Sequence, residues 1–283
     1  MIAVLGGLGA ACAWATSTLC SSRSTRLIDP PSVVAWIMLV GLLITVPLAA
    51  VHGVPESLHG SALTWLMVSA VGNVVGLVIA YRALRIGQVA IVAPIVSTEG
   101  AIAAMIAVLA GETLAPGVGV TLGAIAVGVC LSAVPAEDMP EEHRERHPQT
   151  VALAVLGACA FGVSLYATGR AGTELPSSWV VLSARVVGTV TLAIPLALTG
   201  RLHLTRRTVP LVLASGVCEV LGFFSFTAGA RHGIAVAAVL SSQFASVAAV
   251  AAYVLFGERL SRIQLAGVCT VIAGVAGLSA LRV

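Results

Sequence analysis

Three charged side chains, Glu99, Arg185 and Glu219, lie inside otherwise apolar runs of this sequence, while the other Arg, Asp and Glu residues fall in polar connections or at the ends of those runs. A charge at the centre of a hydrocarbon-embedded helix costs roughly 2.5–3.5 kcal/mol on insertion scales, so such a residue faces a bundle interior, pairs with another charge or lines a pathway. A carboxyl in that position can bind a cationic group or carry a proton, and a guanidinium can hold a carboxylate in a bidentate fork. Glu219 shares its helical face with Ser215, four residues before, and Gly222, three after; Ser69, Asn73 and Gly76 repeat the same stripe earlier in the chain. Read structurally, such a stripe makes an interhelical hydrogen bond between closely packed helices. Read functionally, it lets a substrate reach polar groups at the midplane.

Glu99 follows Pro94 in the segment Ala93-Pro94-Ile-Val-Ser97-Thr98-Glu99-Gly100. Proline removes one helical hydrogen bond and frees the carbonyl of Ala90, the kind of interruption at which transporters expose ligand-binding backbone. Arg185 lies about 10 Å into its run, counting 1.5 Å per residue. Three roles are open to it: snorkelling to the interface, binding a substrate carboxylate, or holding Glu99 or Glu219 ionised. Trp14 and Gln243 sit well within their runs, where an indole N–H and an amide need partners. Tyr81 stands near a run end and reads as an interfacial anchor. Tyr166, Ser242 and Ser246 are weaker candidates.

The elements that must position these residues follow from composition. Of 283 residues, 58% are hydrophobic and 10% charged, with a mean hydropathy of +1.04, whereas soluble domains carry about 25% charged residues. The chain is therefore a membrane protein. A soluble enzyme, a nucleic-acid binder and a disulfide scaffold are excluded. Apolar runs fall near 2–20, 32–51, 61–83, 88–110 and 116–134, then 150–168, 178–199, 209–230, 235–256 and 262–281. Each matches the roughly 20 residues a spanning helix needs, and their continuity excludes the alternating pattern of a membrane barrel. The polar tract from Pro135 to Gln149 separates five spans from five.

The two halves repeat one another. Ser69-Ala-Val-Gly-Asn73-Val-Val-Gly76 returns as Ser215-Gly-Val-Cys-Glu219-Val-Leu-Gly222, and the same shift of 146 relates Arg85 to Arg231 and Gly111-Glu112 to Gly257-Glu258. Near the start of each half, Cys12-Ala-Trp14 resembles Cys159-Ala-Phe161. An odd number of spans per repeat forces the second half to enter the membrane from the opposite side. The expected fold is thus an all-α polytopic membrane protein with ten transmembrane helices in two inverted five-helix repeats, 1–134 and 150–283, joined by the linker 135–149. In such architectures the substrate site lies near the midplane between the repeats, and one half rocks against the other.

At this point the sequence resembles the EamA family of the drug/metabolite transporter superfamily. The likeness is carried by Ala83-Leu84-Arg85 and Gly229-Ala230-Arg231, by the Gly111-Glu112-Thr-Leu and Gly257-Glu258-Arg-Leu turns, and by glycine-dotted fifth helices. The resemblance spans the whole length. It implies a multi-pass transporter of the bacterial plasma (inner) membrane, often an exporter of amino acids, metabolites or drugs, with a cavity lined by the first, third and fourth helices of each half. Its motifs identify the scaffold and leave the cargo open. Substrate-binding or coupling roles are expected for Glu219, Glu99, Arg185, Asn73, Gln243, Trp14, Ser69 and Ser215. The expected function is secondary export of a small amphipathic metabolite, with proton coupling open; a lipid flippase is the alternative, and an intramembrane transferase a more distant one.

Remaining features narrow the partners. All 15 basic residues are Arg, pointing to a GC-rich bacterial genome, and no basic patch suits nucleic acid. The six cysteines show no Cys-x-x-Cys spacing and the histidines no ligand spacing, so neither metal nor cofactor is expected. Residues 1–20 lack a basic segment before the apolar run, so the first span is expected to be retained. A nucleophile with its base is also missing from the spans, which argues against an enzyme. Gly119-Val-Thr-Leu-Gly123 could support a homodimer, although a monomer is expected. Arg23, Arg26, Arg82, Arg85, Arg144, Arg146, Arg201, Arg206, Arg207, Arg259 and Arg262 fall on one side, against Arg170, Arg231 and Arg282 on the other. The positive-inside rule then places both termini outside the cytoplasm; the family resemblance implies the reverse.

Overall fold

The computed structural model describes residues 1–87, 89–113, 117–132, 134, 141–248, 251, 261–263, 265–267, 269–270 and 273–274. Among these residues the chain is helical, with no strand. In lipid every backbone N–H and C=O must be satisfied internally, and a continuously apolar run can do that only as a helix. The elements are α1 (Ile2–Thr25), α2 (Pro30–His52), α3 (Gly60–Ile86), α4 (Val89–Val96), α5 (Glu99–Leu109), α6 (Val118–Ser132), α7 (Glu141–Glu174), α8 (Ser177–Gly188), a π turn (Thr189–Ala193), α9 (Ile194–Leu198), α10 (Val209–Ala230) and α11 (Ile234–Ser241). Six stretches among them are long and apolar enough to cross a membrane: α1, α2, α3, Pro148–Glu174, Ser177–Leu198 and α10. Glu99–Leu109 and Ile234–Ala248 are shorter apolar helices.

Helix ends follow from local chemistry. Asp29 caps α2 by accepting from the Ser32 backbone N–H at 3.0 Å, and Pro30 begins the helix where its missing N–H is not needed. Gly53 ends α2 at φ 68° and Gly233 starts α11 at φ 147°, backbone that L side chains rarely adopt.

The fold departs from the runs read in the sequence at three places. The run 88–110 is two helices, α4 and α5, separated by a turn at Ser97–Thr98, where Thr98 N–H donates to the Ile95 carbonyl and its hydroxyl bonds the same oxygen at 2.7 Å. The break thus follows Pro94 by one turn. In the second half α11 breaks in the same way at Ser242–Gln243, where Gln243 N–H donates to the Leu240 carbonyl and the Ser242 hydroxyl to that of Val239 at 2.7 Å. The expected linker is also partly helical, since α7 already begins at Glu141. Most of the expected tenth span and the Gly257-Glu258 turn lie outside the described residues.

The main interfaces are reciprocal between the repeats: α1 packs most extensively on α10, and α3 on α7. Both pairs run antiparallel. Gly6 meets Gly229, Trp14 meets Gly222, and Ser17 meets Ser215; in the matching pair, Gly76 meets Phe161, and Gly87 meets Thr150. Small residues let these backbones approach closely. Around them, α2 packs on α8. At one end of the bundle the 199–208 segment is tied to α2 through Ser32 and Trp36, which bonds the His203 carbonyl at 3.0 Å. At the other end Trp179 donates to the Gly53 carbonyl at 2.8 Å and Ser57 to that of Glu174 at 3.2 Å.

Candidate functional site

Where α1, α3, α7 and α10 meet the broken helices, they border a partly open cavity of about 60 Å³. Its wall includes Trp14 from α1, Asn73 and Tyr81 from α3, Glu99 at the start of α5, Phe161 from α7, and Glu219 and Phe223 from α10. The rest of the lining is mainly aliphatic, with Phe244 just beyond the Ser242–Gln243 break. Both repeats contribute. Glu99 and Glu219 are 4% and 6% exposed, so neither carboxyl is solvated from the outside.

Arg185 reaches the site from behind. Its side chain is fully buried, with Nη2 3.7 Å from Glu219 Oε2, Nη1 3.5 Å from the Met38 sulfur and Cζ 5.3 Å from the centre of the Phe223 ring. The position is made by α2: a Cβ on Gly41 would stand 2.6 Å from Arg185 Cδ, so only glycine leaves the aliphatic stem its path. The repeat shift explains this arrangement. Met38 and Arg185 are 147 residues apart, as are Gly41 and Gly188, and Met38 packs against Gly188 just as Arg185 packs against Gly41. Two matched side chains thus touch across the junction of the halves, one cationic and one apolar. Glu219, which Arg185 meets, is matched by the repeat shift to the neutral Asn73, an inequality in the same sense.

Hydroxyls bridge the helices in two matched clusters. In one, Ser215 bonds Ser17 and Ser21, each at 2.7 Å, while Ser17 donates to Glu219 Oε1 at 3.3 Å and Ser21 to the Tyr81 hydroxyl oxygen at 2.8 Å. In the other, Ser69 bonds Thr168 at 2.6 Å and the Ser164 hydroxyl donates to the Ser69 carbonyl at 2.7 Å. Ser17 and Ser21 stand 147 residues before Ser164 and Thr168. The first cluster runs unbroken from Tyr81 to Glu219; among the described residues the second does not extend to an acid.

Other polar atoms at the site are left unpaired. Trp14 Nε1, Asn73 Oδ1 and Gln243 Oε1 are buried without a hydrogen bond among the described residues, although Gln243 Nε2 donates to the Val239 carbonyl at 3.0 Å. Buried unsatisfied groups are uncommon and mark places where a ligand or water completes the set. Glu99 has neither an ion pair nor a side-chain hydrogen bond there; it stands in the first turn of α5, where the helix N-terminus favours an acid.

The structure therefore gathers Trp14, Asn73, Glu99 and Glu219 around one cavity, sets Arg185 and Ser215 behind Glu219, and leaves Ser69 and Gln243 in the surrounding helix contacts. Among the roles open to Arg185 one is removed, and the expectation for Tyr81 changes. Arg185 does not snorkel, because no part of it is exposed. Tyr81 is not an interfacial anchor, since it is 4% exposed, bonded to Ser21 and part of the cavity wall. Ser17, Ser21, Ser164, Thr168 and Met38 were not singled out from the sequence; the repeat shift applied to α1 and α2 would have paired them. The Gly119 and Gly123 face of α6 meets nothing within 4 Å among the described residues.

Outside the spans, Asp29 bonds His203 Nδ1 at 2.8 Å and the Ser32 hydroxyl at 2.8 Å. Partial burial would raise its carboxyl, but hydrogen bonds from His203 and Ser32 outweigh that and hold it below the ordinary aspartate value.

A profile of the EamA-like transporter family matches residues 1–134 and again 149–280. A protein of known crystal structure superposes with a TM-score of 0.73 at 18% identity, covering 99% of this chain and 96% of that one, a likeness of fold. No curated protein sequence matches significantly.

Proposed function

The chain belongs to the EamA-like transporter family, and on that premise we propose that the cavity between its repeats is the substrate site of a secondary transporter. A multi-pass membrane transporter is what the family and the long apolar helices establish together. The finer reading is ours. Ten helices form two inverted halves, 1–134 and 150–283, which rock about the linker 135–149 and expose the cavity to each side in turn. The protein resides in a bacterial inner membrane and exports a small amphipathic metabolite.

One observation carries this reading: an apolar cavity shared by both repeats is lined by two carboxyls, Glu99 and Glu219, and by two residues with buried unpaired polar atoms, Trp14 and Asn73. Packing alone gives no reason to put such groups there, given their cost in hydrocarbon. Substrate or protons supply the missing partner.

The test begins with an untargeted comparison of metabolites exported by overexpressing and empty cells. The compound found is then followed in proteoliposomes with and without an imposed pH gradient. Glu219→Gln keeps the shape and hydrogen bonding of the side chain but cannot change charge, so it is expected to fold better than Glu219→Leu while impairing efflux. Glu99→Gln examines the second carboxyl. Unaltered, gradient-sensitive efflux in both variants would remove proton carriage from either acid.

A further inference from the structure

We propose that the substrates are amphiphilic organic monocations, ammonium compounds with an aromatic or aliphatic body, and that Glu99 is the side chain on which their charge rests. The inference builds on the transporter reading and adds to it the chemical class of the cargo.

The charge arrangement of the cavity leads to it. The sequence contains one cation deep in an apolar run, Arg185. An exporter of carboxylates would present that guanidinium to its substrate. Here it is absent from the cavity wall, fully buried, and turned to Glu219 at 3.7 Å with Phe223 over its other flank. Among the described lining residues there is no Arg, Lys or His. Arg185 and Glu219 form a locally neutral pair, which leaves Glu99 as the uncompensated acid of the wall.

The remaining lining is also suited to a cation. Aromatic rings carry negative charge on their faces and attract ammonium groups within about 6 Å, and Trp14, Phe161, Phe223 and Phe244 all border the space. Asn73 presents a buried carbonyl oxygen with no donor, which an N–H of a primary or secondary ammonium would satisfy. Glu99 shares the cavity wall with Glu219 from α10 and Tyr81 from α3; an anion would meet two acids, whereas a monocation neutralises the one left unpaired. Leu77, Leu84, Val92 and Val96 then receive the apolar body.

The experiment uses the intact protein in liposomes. A bacterial metabolite extract is divided by ion exchange into cationic, neutral and anionic fractions at pH 7, and protein-dependent entry of each is followed by mass spectrometry. Benzyltrimethylammonium and phenylacetate serve as defined probes of matched body and opposite charge. The cationic fraction and benzyltrimethylammonium are expected to enter, with phenylacetate at least about tenfold slower, and Glu99→Gln should reduce cation entry about tenfold, the equivalent of one lost charge contact. The charge-class comparison on the unaltered protein stands even if that variant misfolds, which size-exclusion chromatography would reveal. Entry of anions or neutral compounds without cations overturns the proposal and leaves the transporter reading in place. Equal cation entry in a folded Glu99→Gln variant overturns the role of Glu99. Entry of no fraction overturns the transporter reading, and the proposal with it.

Discussion

Arg185 and Met38 occupy matched positions in the two repeats and touch each other, yet one is charged and the other is not. The buried cation therefore owes its place to Glu219, as Met38 stands in the half that has Asn73 instead. Removing one member of a buried ion pair leaves the other without compensation, at a cost of about 3–5 kcal/mol. Arg185→Met is accordingly expected to lower the thermal stability of the detergent-solubilised protein by that order. Adding Glu219→Asn, which copies the Met38 and Asn73 combination of the first half, should recover most of the loss, because coupled neighbours are not additive. A double variant less stable than Arg185→Met alone would mean that Arg185 answers to some other group. Gly41→Ala should act in the same direction by crowding Arg185 Cδ at 2.6 Å. Gly188→Ala crowds Met38 instead, and a methionine yields more readily.

The helix ends depend on a few polar contacts that sequence repeats only half reveal. Arg231 donates from Nε to the Gly172 carbonyl at 2.8 Å and from Nη2 to that of Leu175 at 3.1 Å, closing the end of α7. Lysine has no fork with which to reach two carbonyls at fixed geometry. Both Arg231→Ala and Arg231→Lys are thus expected to raise amide hydrogen exchange at the end of α7 and the start of α8. Exchange unchanged in both would show that the end is held by packing. At the opposite end, Asp29→Ala removes the α2 cap and should cost about 1 kcal/mol. Because the Asp29 carboxyl is held below its ordinary value, its contribution is present at neutral pH and is lost as pH falls through that depressed value. The melting difference between the native protein and Asp29→Ala should therefore shrink in strong acid; a difference independent of pH would contradict the hydrogen-bonded carboxylate.

On the scale of the whole molecule, the reciprocal pairs α1 with α10 and α3 with α7 make each half complete the other. The same arrangement sorts arginines to one end, where Arg23, Arg26, Arg201, Arg206 and Arg207 accompany the α2 N-terminus. At the other end, the guanidinium of Arg231 is engaged with backbone carbonyls. The positive-inside rule predicts that the arginine-rich end faces the cytoplasm. A single cysteine at Arg206 in a cysteine-free background should then be labelled by an impermeant maleimide only in inverted vesicles, and one at Ser57 only in intact cells. The opposite pattern would show that the chain follows the orientation implied for its family.

Taken by itself, the sequence determined that the chain lives in a membrane, that it is duplicated, and that Glu99, Arg185 and Glu219 are its costly residues. Hydropathy and a constant repeat shift are properties of the chain read along its length, so no contact is needed to detect them. It did not determine which acid Arg185 meets, why Tyr81 is buried, or that Arg185 stands behind the cavity wall. Those depend on how α3, α8 and α10 are rotated about their own axes. Helices that are apolar on nearly every face carry little periodic signal to fix that rotation. Close packing decided it instead: Gly41 opens a path for Arg185 along α2, and Gly222 makes room for Trp14 beside Glu219. The cost of burying a charge is written in one residue, but its partner is chosen by the distance between helices, which exists only once they are packed.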